Sequence, residues 1–389
     1  MEAFDFDKLI DRRNTNSMKW HVEEGELPMW VADMDFETAP AIKESLQQRV
    51  NQGVFGYSCM PDEWAEAYRT WWKTRYNTDI QKEELFFCTG VIPAISSIIR
   101  KVTSPAEKVL VQSPVYHMFY HCTEDNGRQV AENTLIYRDG SYHIDWEDLE
   151  EKIKDPQTSL FLLCNPHNPT GQIWDRETLI RLGELCAENG VLVVSDEIHC
   201  DLTDPGFTYV PYASLPDNIR KNSIICLAPT KTFSIPGIQT AAIQISDPIL
   251  RHKIQTAVRD DNIGSPNVFS TDAAIAAYTR GGPWLDSVRE YIFHNKEYIR
   301  DYLTQHIPEI KAVPSEATYL LWLDCTALTE DSRIFSKFIR EETGLFLSDG
   351  WAFGTGGESF LRMNTAAPMS RIQDAMKRLD KAVAAWKAR

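Results

Sequence analysis

Four short and almost wholly apolar runs constrain this chain more than any other feature: KVLVQS (108–113), SLFLLCN (159–165), VLVVSD (191–196) and SIICLAP (223–229). Each is strand-sized and lacks the polar alternation of a half-exposed strand, so both of its faces must be covered, as in a parallel sheet flanked by helices. Helix-period segments surround them. APAIKESLQQRV (39–50), PDEWAEAYRTWWKTRY (61–76) and DRETLIRLGELCAENG (175–190) read as amphipathic helices, and ELFFCTG (84–90) as a short strand entering the helix VIPAISSIIRKV (91–102). The predicted fold is therefore α/β, a large domain with a mostly parallel sheet covered by helices.

Beyond GGP (281–283) the pattern changes to a long helix (283–307), strands in TYLLWLDC and FLRMN, and a final helix, which predicts a smaller α/β C-terminal domain. The expected division is an N-terminal segment, 1–45, packing with the small domain, a large ligand-binding domain, 46–282, and the small domain, 283–389.

At 389 residues the chain is too long for one ordinary core. Forty Lys and Arg against 56 Asp and Glu leave a charge of -16 with no basic cluster, which argues against nucleic acid and anionic membrane as partners. The apolar runs fall far short of the roughly 20 residues that cross a bilayer. MEAFDFDKLIDRR lacks the basic-then-apolar order of a secretory signal. The eight cysteines form no CxxC pair, as expected of reduced thiols in a cytoplasmic protein. The nine histidines show no metal-ligand spacing, so no metal is expected.

Ligands of open α/β sheets collect at the carboxyl ends of parallel strands. CTG, SPVY, NPHNPTG, SDEIH and APTK each follow such a run. Lys231 of APTK, partly desolvated at a strand end, could form a Schiff base with a carbonyl. Asp196, closing VLVVSD, needs a cation to offset burial, and a protonated pyridine ring would serve, as in pyridoxal phosphate (PLP). Asn168 can donate its amide, and Gly90 opens a helix whose Val91 and Ile92 N–H groups are suited to a phosphate. Tyr116 could stack on a planar ring, and Arg362 of FLRMN could clamp a carboxylate. Taken singly, each has an ordinary structural reading: a hydrated lysine, an ion pair, a turn, a core aromatic.

Taken in order, Gly90, Tyr116, NPHNPTG, SDEIH, the APTK lysine and the RMN arginine resemble the class I and II aminotransferase-like enzymes of PLP fold type I, across nearly the whole chain. MWVADMDF (29–36), FGYS (55–58), SDEIHCDL and ATYLLWLDC (317–325) resemble, more narrowly, the carbon–sulfur lyase branch, the cystathionine β-lyases of MalY/PatB type and cystalysin. The resemblance implies that Lys231 is the Schiff-base lysine and proton carrier, with Tyr116 stacking on the ring and assisting in proton donation. It implies Asp196 at the pyridine nitrogen and Asn168 at the phenolic oxygen. Gly90, Val91, Ile92 and Thr230 would hold the phosphate with Tyr57 of a neighbouring subunit, making a homodimer, and Arg362 with the backbone at Ala32 would hold the substrate carboxylate.

Three positions depart from aspartate-type transaminases. His199 stands where they have a tyrosine beside the phenolic oxygen, Ala228 replaces a phosphate-binding serine, and Gln239 a phosphate-binding arginine. The implied reaction is α,β-elimination from L-cystathionine or another L-cysteine S-conjugate, giving pyruvate, ammonia and a thiol. Alternatives are an aminotransferase using the same residues and a non-catalytic regulatory module of the same fold. Met60, His117 and the surroundings of Phe353 are expected to touch the β-substituent.

Overall fold

The apolar runs form the centre of a seven-stranded sheet in the computed structural model, which describes residues 4–389; residues 1–3 of the expected N-terminal segment lie outside the described residues. Its strand order is Leu85–Cys88, Ala241–Gln244, Ser223–Leu227, Leu192–Asp196, Thr158–Cys164, Lys108–Val111 and Gln129–Glu132. Ala241–Gln244 runs antiparallel to both neighbours, and all other pairs are parallel. Two of these strands escaped the sequence reading: Gln129–Glu132 is a partly exposed edge, and Ala241–Gln244 is too short and alanine-rich to stand out.

Register sets the site. Asp196 lies level with Cys164 on one side and Cys226 on the other, so the segments following these three strands emerge side by side. The helix Val91–Val102 starts directly behind the Leu85–Cys88 strand, with Gly90 as its N-cap in extended conformation. Its Ile95, Ile98 and Ile99 are fully buried against strand residues such as Val109, Leu160 and Ile224, a helix face at 3.6 periodicity meeting the sheet.

A second sheet, four-stranded and antiparallel, orders Lys311–Ala312, Leu320–Asp324, Phe360–Asn364 and Ser348–Asp349. One face packs beneath the helices Ser332–Thr343 and Met369–Lys387 through Leu321, Leu323, Leu361 and Met363. The opposite face presents Arg362, paired in register with Trp322 and Ser348. The helix Gly282–His306 is continuous for 25 residues and joins the lobes: Trp284, Leu285, Val288 and Ile292 enter the larger core, Ile299 and Leu303 the smaller.

The N-terminal segment threads between the lobes. Leu27–Pro28 pairs in parallel with Leu345–Phe346, while Met34 and Phe36 enter the larger core. Its anchor is Asp35, whose fully buried carboxylate accepts from Lys19 Nζ (3.0 Å), Trp20 Nε1 (2.9 Å) and Arg12 (2.9 Å) and pairs with Arg371 at 3.2 Å. Burial alone would raise the pKa of Asp35; Lys19, the indole and Arg371 together hold it below the usual carboxylate value. Among the described residues no helix is long and apolar enough to cross a membrane. All eight cysteines are unpaired; seven are buried and Cys59 is exposed.

Candidate functional site

Lys231 sits in the short helix Pro229–Thr232, which begins as soon as the Ser223–Leu227 strand ends. Thr232 fixes this turn by donating to Asp201 at 2.9 Å, and Asp201 also accepts from the Trp71 indole at 2.8 Å. Lys231 Nζ donates to the carbonyl of Ala32 at 2.5 Å, and the Tyr319 hydroxyl donates to the same oxygen at 3.0 Å. Burial, reinforced by the nearby Arg362 charge, lowers the Lys231 pKa to about 8 despite the opposing pull of Asp33 and Asp196. The amine is thus available in neutral form near physiological pH.

The N-terminal segment is stitched to the same turn. The Met34 N–H donates to Ser234 Oγ at 3.1 Å, and Thr38 Oγ1 donates to the Phe233 carbonyl at 2.7 Å. On its other side Asn364 Nδ2 donates to the carbonyls of Val31 and Asp33, both at 2.6 Å. Ala32 is therefore held from both lobes.

A cavity of 260 Å³ collects Ala32, Gly90, Val91, Ile92, Tyr116, Asn168, Asp196, His199, Thr230 and Lys231. A second, of 450 Å³, shares Ala32, Tyr116 and Lys231 with it and adds His117, Phe353 and Arg362. Eleven of the twelve site residues expected from sequence thus line one of two adjoining cavities. Tyr57 does not: it is fully exposed on the segment before the Asp62–Tyr76 helix. Met60 borders a different cavity, beside Trp64 and Phe86.

Asp196 is 4% exposed and receives a single side-chain hydrogen bond, from the Ile198 N–H at 3.1 Å. Burial pushes its pKa up to about 6, with Ile198 and Lys231 only partly offsetting that. Arg362 is 4% exposed and, among the described residues, pairs with no carboxylate. One terminal nitrogen donates to Asn168 Oδ1 and the other to the Trp30 carbonyl, both at 3.0 Å, while Nε has no partner among the described residues. Burial lowers its pKa to about 10, so it remains a cation at neutral pH and invites an anion. His199 is held neutral, its pKa lowered to about 3 by burial and by Lys231 and Arg362, and its buried Nδ1 lacks a partner. Burial raises the Tyr116 phenol, so it keeps its proton.

These observations test a ligand. A buried carboxylate short of a cation, an imidazole nitrogen unpartnered among the described residues and a helix N-terminus on the same cavity suit a flat ring with a cationic nitrogen, polar edge groups and a phosphate. PLP meets that description. The residues fit the group, although Lys231 is the only Lys or Arg bordering the 260 Å³ cavity among the described residues, which Gln239 also lines.

The structure adds residues not anticipated from the sequence: Tyr319 on the Ala32 carbonyl, Thr89, Ile198 and Pro236 lining the inner cavity, and Trp30 and Ser348 beside Arg362. Tyr319 reads in sequence as one more core aromatic, and the Trp30 carbonyl carries no side-chain signal.

The family model for aminotransferase class I and II matches residues 27–379. The chain belongs to this family. Within it, the chain is 41% identical over 385 residues to cystathionine beta-lyase PatB of Bacillus subtilis, covering 97% of this chain and 99% of that one. It is 33% identical to protein MalY of Escherichia coli, covering 98% and 99%. Cystalysin from Treponema denticola, a crystal structure that contains a pyridoxal 5'-phosphate cofactor, superposes with a TM-score of 0.95 at 33% identity over 98% of this chain and 99% of that one. The aminotransferase-type fold anticipated from the strand-end motifs is the fold of these family members.

Proposed function

We propose that this protein is a PLP-dependent carbon–sulfur β-lyase that cleaves L-cystathionine or related L-cysteine S-conjugates to pyruvate, ammonia and a thiol. The observation that carries the reading is the disposition of Lys231: a buried amine with a lowered pKa, in one cleft with an uncompensated carboxylate and an unpaired arginine, in a chain 41% identical to a cystathionine β-lyase.

Lys231 Nζ would anchor PLP through its aldehyde, Asp196 would pair with the ring nitrogen and Tyr116 would stack on the ring. Asn168 Oδ1 is occupied by Arg362, which leaves the amide N–H₂ to donate to the phenolic oxygen, beside His199. Gly90, Val91 and Ile92 offer helix-terminal N–H groups, and Thr230 a hydroxyl, to the phosphate. When bound, PLP supplies an electron sink that stabilises negative charge at the substrate Cα.

The remaining chemistry belongs to the chain. Arg362 pairs with the α-carboxylate through its free edge and holds the substrate Cα toward Lys231. Lys231 Nζ, released when the substrate's own amine takes its place and with a pKa lowered to about 8 by burial, takes the α-proton. Lys231 Nζ then hands that proton to the departing sulfur, or Tyr116 donates its hydroxyl proton there and recovers one from Lys231. The Ala32 carbonyl, accepting from Lys231 and Tyr319, keeps the amine oriented between these tasks.

The unit is a homodimer in which Tyr57 of a second copy reaches the phosphate. Exposed Val54, Phe55 and Tyr57 on one short segment support this, since lone chains seldom present such a cluster to water. A cytoplasmic location agrees with eight unpaired thiols.

The test is direct. Purified protein loaded with PLP should release pyruvate and thiol from L-cystathionine or S-methyl-L-cysteine. Failure with every cysteine thioether tried, or amino-group transfer to a keto acid outpacing pyruvate release, overturns the reading.

A further inference from the structure

Phe353 is where the two lobes meet over the substrate end of the cleft. Its ring is 1% exposed and lies 4.8 Å from the Arg362 guanidinium carbon, edge-on to Trp322 at 5.3 Å and to His117 at 6.1 Å. The ring covers a face of the guanidinium and leaves the Nε edge, which has no protein partner, for a carboxylate. The backbone of Phe353 belongs to the smaller lobe, yet its carbonyl accepts from the Val115 N–H at 2.8 Å and from the Tyr120 hydroxyl at 3.3 Å, both in the larger lobe.

The fit around Tyr120 is close. Gly354 follows at φ +88°, and a Cβ placed on it would fall 1.9 Å from the Tyr120 oxygen. A Cβ on Gly350 would lie 2.2 Å from the Gly357 carbonyl oxygen and 2.5 Å from that of Phe360. The turn is thus packed onto the strand that carries Arg362. The Thr355 N–H adds a bond to Glu132 of the larger lobe at 3.3 Å. Tyr120 itself borders neither cavity of the site, and its hydroxyl donates to the carbonyl of Phe353, whose side chain borders the outer one.

We infer that Tyr120 is a positioning residue for the substrate carboxylate: its hydroxyl latches the Phe353 carbonyl to the larger lobe and so keeps the Phe353 ring seated on Arg362. This rests on the proposed role of Arg362 in binding an amino acid. The PLP-loaded Tyr120→Phe variant is titrated, by the absorbance change of the cofactor, with L-alanine and with isopropylamine, an amine that lacks a carboxylate. The alanine Kd rises about fivefold, the scale of one lost hydrogen bond, while the isopropylamine Kd stays at the parent value. In turnover the same variant shows a raised KM with kcat within about twofold of the parent.

Phe353→Leu, which removes the ring but retains the latched carbonyl, reproduces the selective loss of alanine affinity; should Tyr120→Phe not fold, unchanged alanine affinity in Phe353→Leu still overturns the latch. Parent-like alanine binding in the variants, or equal weakening of both ligands, overturns the latch. The alanine titration needs no lyase turnover, so a protein that binds alanine but cleaves no thioether would refute the lyase reading and leave the latch standing.

Discussion

Asp196 carries an uncompensated burden in the protein without cofactor. Its pKa stands near 6 in the fold against an ordinary 3.8, so the folded state holds this proton more tightly than the unfolded chain does. Relative stability from this group is present below pH 4 and lost as pH rises through 6, a difference of about 3 kcal/mol at neutral pH. The Asp196→Asn apoprotein should therefore gain up to about 3 kcal/mol at pH 7 in urea denaturation, while its retention of PLP on dialysis falls. Lys231 gives the complementary pH effect: condensation with an aldehyde needs the neutral amine, so uptake of PLP by the apoprotein should accelerate as pH rises toward about 8 and level off above it, as read by stopped-flow absorbance. The Lys231→Ala protein should show no cofactor Schiff-base absorbance and lose about a thousandfold or more in elimination rate. Both residues were legible because each closes an apolar run and their order along the chain is distinctive. Tyr319 was not, because its partner is a backbone carbonyl 287 residues away, and nothing local marks a hydroxyl that crosses from one lobe to meet the amino-terminal segment.

Among the elements, the buried runs announced themselves and the edges did not. Thr158–Cys164, Leu192–Asp196 and Ser223–Leu227 are covered on both faces and could scarcely be anything but central strands, whereas Gln129–Glu132 reads as polar loop because an edge strand takes its identity from its neighbour. The amino-terminal segment is the element whose role was least visible, since its irregular backbone follows no periodicity. We propose that it acts as a strap, with Asp35 as its rivet. Asp35→Asn removes the carboxylate that the buried Lys19 and Arg371 share, leaving Arg12 to its pair with Asp33, and should cost about 3 kcal/mol in chemical denaturation. Because the strap presents Ala32 to Lys231, the same variant should also raise KM.

For the whole molecule the proposed shared site has a genetic signature. A Lys231→Ala chain and a Tyr57→Ala chain, each defective alone, should recover activity when refolded together, because one site of the mixed dimer would combine an intact Lys231 with an intact Tyr57. Activity of the mixture no greater than the average of the two parents would remove Tyr57 of the second copy from the site. The proposed division into large and small domains at 282/283 falls in the first turn of the Gly282–His306 helix, whose first half packs in the larger core.

That helix is fixed at one end in the core behind Lys231 and at the other in the core behind Arg362. A rod embedded at both ends cannot let one lobe melt while the other stays intact without stranding half its own length. Calorimetry of the apoprotein should accordingly record one endotherm rather than two, and a chain truncated at residue 281 should come out of the cell as inclusion bodies rather than as a folded large domain.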